Sequence, residues 1–239
     1  MRYSRMMLDS SAPIEVVADA VRSGAPRVSL RERKKRQTRA RIIEVALDLC
    51  EIKGFEATTV EQIAHGADVS PRTVNRYFDT KEDIVLGTLD AFGDAIACAL
   101  AAQPRTDSDL RALCNAYLHM IERAASSDDD LSFRRFQQTQ RIARTSPTVN
   151  ARLLEYGETK NTMITTVLAE RTGKSPEALC VRLVVATWQM LCHVALAQSE
   201  EVLVHGEPQV AAHAARIAVV DAYNELCRIC AHPIPADSM

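Results

Sequence analysis

The sequence predicts an all-α protein with an N-terminal helix-turn-helix domain of three helices and a larger helical domain behind it. Three observations lead there. Apolar residues recur at helical spacing along most of the chain, without strand-like alternation. Only 8 glycines and 9 prolines punctuate 239 residues, and aromatics make up 5%, a composition that favours long helices over sheets. Two helix starts, at Thr59 and Ser70, flank one tight turn.

The elements follow in order. Residues 1–30 read as a flexible leader. A basic stretch comes next: between Arg31 and Arg41 seven cations face one acid, Glu32. That stretch carries +6 and the rest of the chain −8, giving the net charge of −2. Cations concentrated on an acidic body point to a local contact with a polyanion. Ile42, Ile43, Ala46, Leu47 and Cys50 then recur at helical spacing to about residue 53, and Gly54 is expected to end that helix in the left-handed region. Thr59 to Gln62 forms a capping box, because the threonine hydroxyl can accept from the amide three residues on while the glutamine reaches back. Ser70 followed by Pro71 gives an N-cap with proline at the first helical position. Thr80 opens a further helix, expected to run to about 101. Beyond it, helices are expected at about 107–126, 131–144, 147–172, 176–199 and 207–231.

The segment 59–78 holds two short helices that cross closely. Ala64 fits the crossing, and Ile63, Ala67, Val69 and Val74 supply the shared core. Asp68 occupies the turn, where a residue tolerant of positive φ is needed. The second helix leaves Arg72, Thr73, Asn75 and Arg76 on its outer face. These are side chains suited to base edges in the major groove: arginine pairs with guanine in two places and asparagine with adenine. Thr58, Thr59, Tyr77 and Lys81 are placed for phosphates, Ser70 stands at the DNA-binding start of the second helix, and Arg33, Lys34 and Arg36 add salt-dependent affinity.

Gly54-Phe55, Thr58-Thr59-Val60, Tyr77-Phe78 and Lys81-Glu82 stand in an order and spacing that resembles the TetR family of bacterial repressors, over about residues 36–96. The resemblance implies a DNA-binding domain over 31–96, with its helix-turn-helix at 59–78, and a ligand-binding and dimerisation domain over 107–232. It implies a homodimer joined through the last two helices, a palindromic double-stranded operator, and repression relieved by a small-molecule effector. Tyr77 and Lys81 match the family's phosphate-contacting positions. Asp68 in the turn and Asn75, where an aromatic is common, depart from its pattern.

Residues 179–197 are apolar nearly all round, so this helix must bury more than one face. Arg182, Gln189 and His193 are expected to interrupt it short of a membrane span. A hydrophobic or amphipathic effector is expected among Tyr117, Met120, Phe136, Tyr156, Trp188, Gln189, Cys192 and His193, with Arg134, Arg135 and Arg182 as candidate partners for an anionic group. No cofactor and no metal are expected. Cys227, Cys230 and His232 form half a clip without a second half. Phosphate-binding glycine loops and hydrolase motifs are missing from the sequence, which argues against an enzyme. Seven scattered cysteines and no apolar run near the first residue predict a cytoplasmic protein with free thiols. Two alternatives fit the same residues: a ligand-independent activator or co-regulator, and a metabolite-binding protein with a vestigial head.

Overall fold

The helix starts at Thr59, Ser70 and Thr80 are each built by a capping side chain, whereas the helices that begin at Phe133, Leu179 and Pro208 start without one. The structure, a computed structural model, describes residues 29–105, 108–127, 132–159 and 162–230, and only the backbone of 154 and 156–159. Twelve α-helices and no strand lie among the described residues. The chain forms two compact units, 1–37 and 38–239. Of the first, residues 30–37 are helical and exposed. The expected leader, apart from its last two residues, lies outside the described residues.

α1 is Leu30–Lys53, α2 Val60–Gly66 and α3 Pro71–Tyr77. Gly54 has φ +85° after α1, and Asp68 has φ +56° in the turn between α2 and α3, as their positions required. Ile42, Ala46, Leu47, Ile63, Ala64, Val74 and Phe78 close one apolar core. Gly66 permits a close approach that its place in the sequence did not announce: a Cβ there would meet Val45 Cγ1 at 2.7 Å.

The single helix expected over 80–101 is two, α4 Lys81–Val85 and α5 Gly87–Ala102. The junction packs tightly, since a Cβ on Gly87 would meet Ile43 Cδ1 at 2.7 Å and Phe78 Cε1 at 3.3 Å. Arg39 ties the same junction to α1. Its guanidinium donates to the Gly87 carbonyl at 3.3 Å and to Asp90 at 2.6 Å, and lies over the Phe78 ring. Arg39 and Arg41, counted with the basic stretch, are therefore engaged within the fold; Arg41 donates to Glu44 and to the Gly66 carbonyl.

α6 (Asp109–Ala125), α7 (Phe133–Thr145), α10 (Leu179–Gln198) and α12 (Pro208–Ile229) follow the expected helices closely. The segment expected as one helix over 147–172 is assigned as α8 (Pro147–Thr159) and α9 (Thr162–Thr172), with 160–161 outside the described residues. A short α11 (Glu200–His205) was not foreseen. α5, α6, α7, α9, α10, α11 and α12 share a second core around Phe92, Leu113, Phe133, Leu168, Trp188 and Val219.

α7 is the bridge between the two cores. Ile142 and Ala143 join the head core while Phe133 joins that of the body. Polar bonds repeat the pattern: Arg135 pairs with Glu44, the Gln138 amide donates to Asp48 and Glu51, and Arg141 pairs with Glu51 and donates to the Val204 carbonyl. The Gln137 amide holds α11 through the carbonyls of Leu203 and Gly206.

By length and composition α10, 20 residues long with mean hydropathy 1.6 in its most apolar 18-residue window, is sufficient to cross a bilayer. The expectation that its polar residues interrupt it short of a span is thus not met. Its apolarity comes from two faces. One carries Val181, Trp188, Leu191 and Ala195 into the core; the other leaves Leu179, Leu183, Met190 and Val194 exposed.

Candidate functional site

The α2-turn-α3 unit is held by reciprocal local bonds. Thr59 Oγ1 accepts from the Gln62 amide at 3.3 Å, and Gln62 Oε1 accepts from the Thr59 amide at 3.1 Å. Both side-chain halves of the capping box are therefore present. Ser70 Oγ accepts from the Thr73 amide at 3.1 Å and lies 2.9 Å from the Thr73 hydroxyl. These two hydroxyls thus serve first to start α3. On that fixed helix Val74 is buried while Arg72, Asn75 and Arg76 are exposed. Arg76 lies over the Tyr77 ring, 5.4 Å from its centroid. The outer face therefore presents two guanidiniums and a carboxamide, with an aromatic hydroxyl beside them. Arg33, Lys34 and Arg36 are exposed in the first unit.

Two of the sequence-predicted phosphate contacts have other work in this structure. Thr58 is buried, and its hydroxyl donates to the Gly54 carbonyl at 2.9 Å. Lys81 Nζ donates to the carbonyls of Phe55 (2.8 Å) and Thr58 (2.9 Å) and sits 4.1 Å from the centroid of the Phe55 ring. It staples the α1–α2 loop to the start of α4. Replacing Lys81 with Met is expected to cost about 2 kcal/mol, because two carbonyls lose a charged donor. Chemical denaturation of the purified variant measures this, and an unchanged midpoint would contradict the staple.

A cavity of about 720 Å³ opens among α7, α8, α10 and α11. Of the predicted pocket residues it gathers Phe136, Gln189, Cys192 and His193, and adds Gln140, Arg144, Asn150 and Glu200, with Leu153, Leu196, Leu203 and Val204 as apolar lining. Tyr117, Met120 and Trp188 do not line it. They are buried in the body core, where the Tyr117 and Trp188 rings meet edge to face at 5.3 Å. The side chain of Tyr156 lies outside the described residues. The arginines read from sequence as anion partners do not reach the cavity either: Arg135 is engaged with Glu44, and Arg134 and Arg182 are exposed away from the lining. Burial holds the Cys192 thiol well above the usual range and pushes Cys114 up to about 11. Both are therefore protonated at neutral pH and act as apolar groups rather than nucleophiles.

Among the described residues no group of three or more His, Cys, Asp or Glu side chains is arranged to hold a metal. Cys227 and Cys230 are exposed thiols, and His232 lies outside the described residues.

Against known proteins, residues 42–88 match the model of the bacterial regulatory proteins of the tetR family. The HTH-type transcriptional regulator TcmR of Streptomyces glaucescens is 32% identical over 145 residues, 60% of this chain. The match spans 64% of that relative, just under two thirds of its length. Solved structures with some similarity include SmeT, the repressor of the Stenotrophomonas maltophilia multidrug efflux pump SmeDEF. It is 16% identical with TM-score 0.47, covering 78% of this chain and 89% of that one. A TetR-family transcriptional regulator from Streptomyces coelicolor is 18% identical with TM-score 0.40, covering 79% and 98%. Residues 42–88 therefore carry the N-terminal domain of the TetR family of bacterial regulatory proteins.

Proposed function

We propose that the protein is a sequence-specific DNA-binding regulator of transcription, acting as a homodimeric repressor in the cytoplasm and released by a small amphipathic effector. One observation carries the reading. α3 is locked at its start by Ser70 and behind by Val74, and turns Arg72, Asn75 and Arg76 to solvent. A rigid helix with bidentate donors on its outer face is what the major groove accepts. The relative named as a transcriptional regulator supports the same role. Tyr77 and Thr59 are assigned to phosphates, with the exposed cations Arg33, Lys34 and Arg36 adding salt-dependent affinity.

Dimerisation is assigned to α10 and α12. Met190, Val194, Ile217 and Ile229 are exposed and border one groove of about 520 Å³. Asp221 and Glu225 also line it. Carboxylates beside the apolar residues suit a protein partner better than lipid. The effector is assigned to the cavity beside α7, because α7 also holds α1 through Arg135, Gln138 and Arg141. An occupant that shifts α7 would change the spacing of two reading heads, provided it binds the DNA-incompetent arrangement more tightly.

Fluorescence anisotropy with duplexes from the region upstream of the protein's own gene tests the reading. A saturable, salt-sensitive preference for one inverted repeat is expected, and equal binding to all duplexes would remove it. Arg72→Ala is expected to reduce the preference for that repeat over a scrambled duplex by about tenfold or more. A variant that weakens both duplexes equally would reassign Arg72 to a phosphate.

A further inference from the structure

Among the described residues two formal charges line the cavity beside α7, and they belong to one ion pair. Arg144 of α7 and Glu200 of α11 are bonded through Nη2 and Oε1. The pair stands at the rim, with side chains 38% and 55% exposed. The other polar groups are uncharged carboxamides, Gln140, Asn150 and Gln189, together with the imidazole of His193. Carboxamides donate and accept hydrogen bonds in equal measure, so they suit hydroxyl and carbonyl groups without demanding a charge. The rest of the lining is apolar. An ionised ligand entering such a site gives up hydration and finds no counter-charge to replace it, a heavy penalty. An uncharged ligand of drug-like size pays none of that, and a cavity of about 720 Å³ is within the range that holds one.

We propose that Glu200 sets the charge selectivity of this cavity. By neutralising Arg144 it reserves the site for an uncharged amphipathic molecule bearing hydroxyl or carbonyl groups, and it turns away anions. Without Glu200 the Arg144 guanidinium would stand at the cavity mouth as a bidentate anion receptor. The proposal rests on the effector-cavity reading above, but it concerns only what enters the cavity.

Dye binding to the full-length protein, without DNA, tests it. Nile red serves as an uncharged probe and anilinonaphthalene sulfonate as a monoanion. Wild type is expected to bind Nile red saturably and the sulfonate several-fold more weakly. Glu200→Gln should raise the sulfonate affinity relative to Nile red by about fivefold or more. Glu200→Gln combined with Arg144→Gln should abolish that gain. Because the ion pair is half exposed, its loss is expected to disturb folding little, and the thermal midpoint of each variant checks this.

Three results would overturn the proposal: wild type taking the sulfonate as tightly as Nile red, Glu200→Gln leaving the ratio unchanged, or the gain surviving in the double variant. The last would place the dye elsewhere, as on the exposed faces of α10 and α12. Absence of saturable binding of both dyes to wild type would remove the cavity reading and the charge selectivity with it. DNA binding in the anisotropy assay is untouched by any of these outcomes, so the two readings fail separately.

Discussion

Replacing Val194 and Ile217 together with aspartate is expected to yield monomers that bind the inverted repeat on the order of a hundredfold more weakly than wild type. The two side chains are each 48% exposed, on α10 and α12. They face away from the core formed by Trp188, Leu191, Ala215 and Val219, so the subunit itself should remain folded. Burying four new carboxylates across a two-fold contact, beside Asp221 and Glu225, leaves unpaired charge in an apolar interface. Each freed head then binds one half-site alone and loses the gain of being linked to a second. Sedimentation velocity measures the dissociation and anisotropy the affinity. A variant that still sediments as a dimer would move the interface off α10 and α12.

Arg171→Ala is expected to be the most destabilising single change outside the apolar cores. Arg171 is 7% exposed, and its guanidinium gathers the end of α5 and the start of α6. It donates to the carbonyls of Leu100 (3.0 Å), Gln103 (2.8 Å) and Pro104 (3.1 Å), and to Asp109 (3.2 Å). The last carbonyls of a helix have no partner within it. Here one side chain of α9 satisfies several such groups. Its removal takes the charged donor from the Gln103 and Pro104 carbonyls and from a largely buried carboxylate, while Leu100 keeps the Gln103 amide, at a cost of about 3 kcal/mol. For a chain of this length that corresponds to a fall in Tm of roughly 6–12 °C. Arg171→Lys should recover only part of it, because a point ammonium cannot reach four acceptors in that fork. Thermal unfolding followed by circular dichroism gives both numbers, and a fall of less than about 2 °C for Arg171→Ala would refute the clamp.

How much was legible depends on range along the chain. The capping box at Thr59, the Ser70–Pro71 start, the left-handed Gly54 and the positive φ of Asp68 all lie within three or four residues of the groups that cause them, and all were readable. So were the outward positions of Arg72, Asn75 and Arg76, since Val74 fixes which side of a seven-residue helix is buried. The unforeseen features depend on distant partners. Gly87 weakens a helix only modestly and did not announce a division; in the fold it lies where Ile43 and Phe78 leave no room for a Cβ. Lys81 looked like a phosphate ligand, yet its ammonium is held by carbonyls 23 and 26 residues away. The candidate pocket mixed two populations. Tyr117, Met120 and Trp188 share their helical spacing with Phe136 and Cys192, and only the packing of α6 against α10 and α12 separates core from cavity.

The amino-acid order by itself determined that this chain is helical, where most of its helices begin, and which face of α3 meets solvent, because capping and periodicity act over one or two turns. Only the tertiary structure decided which cations stay bound within the fold, that α7 joins α1 to the cavity, and that Arg144 meets Glu200 at its rim. Those pairings join residues tens of positions apart, and short-range pattern carries no record of which helices will lie side by side.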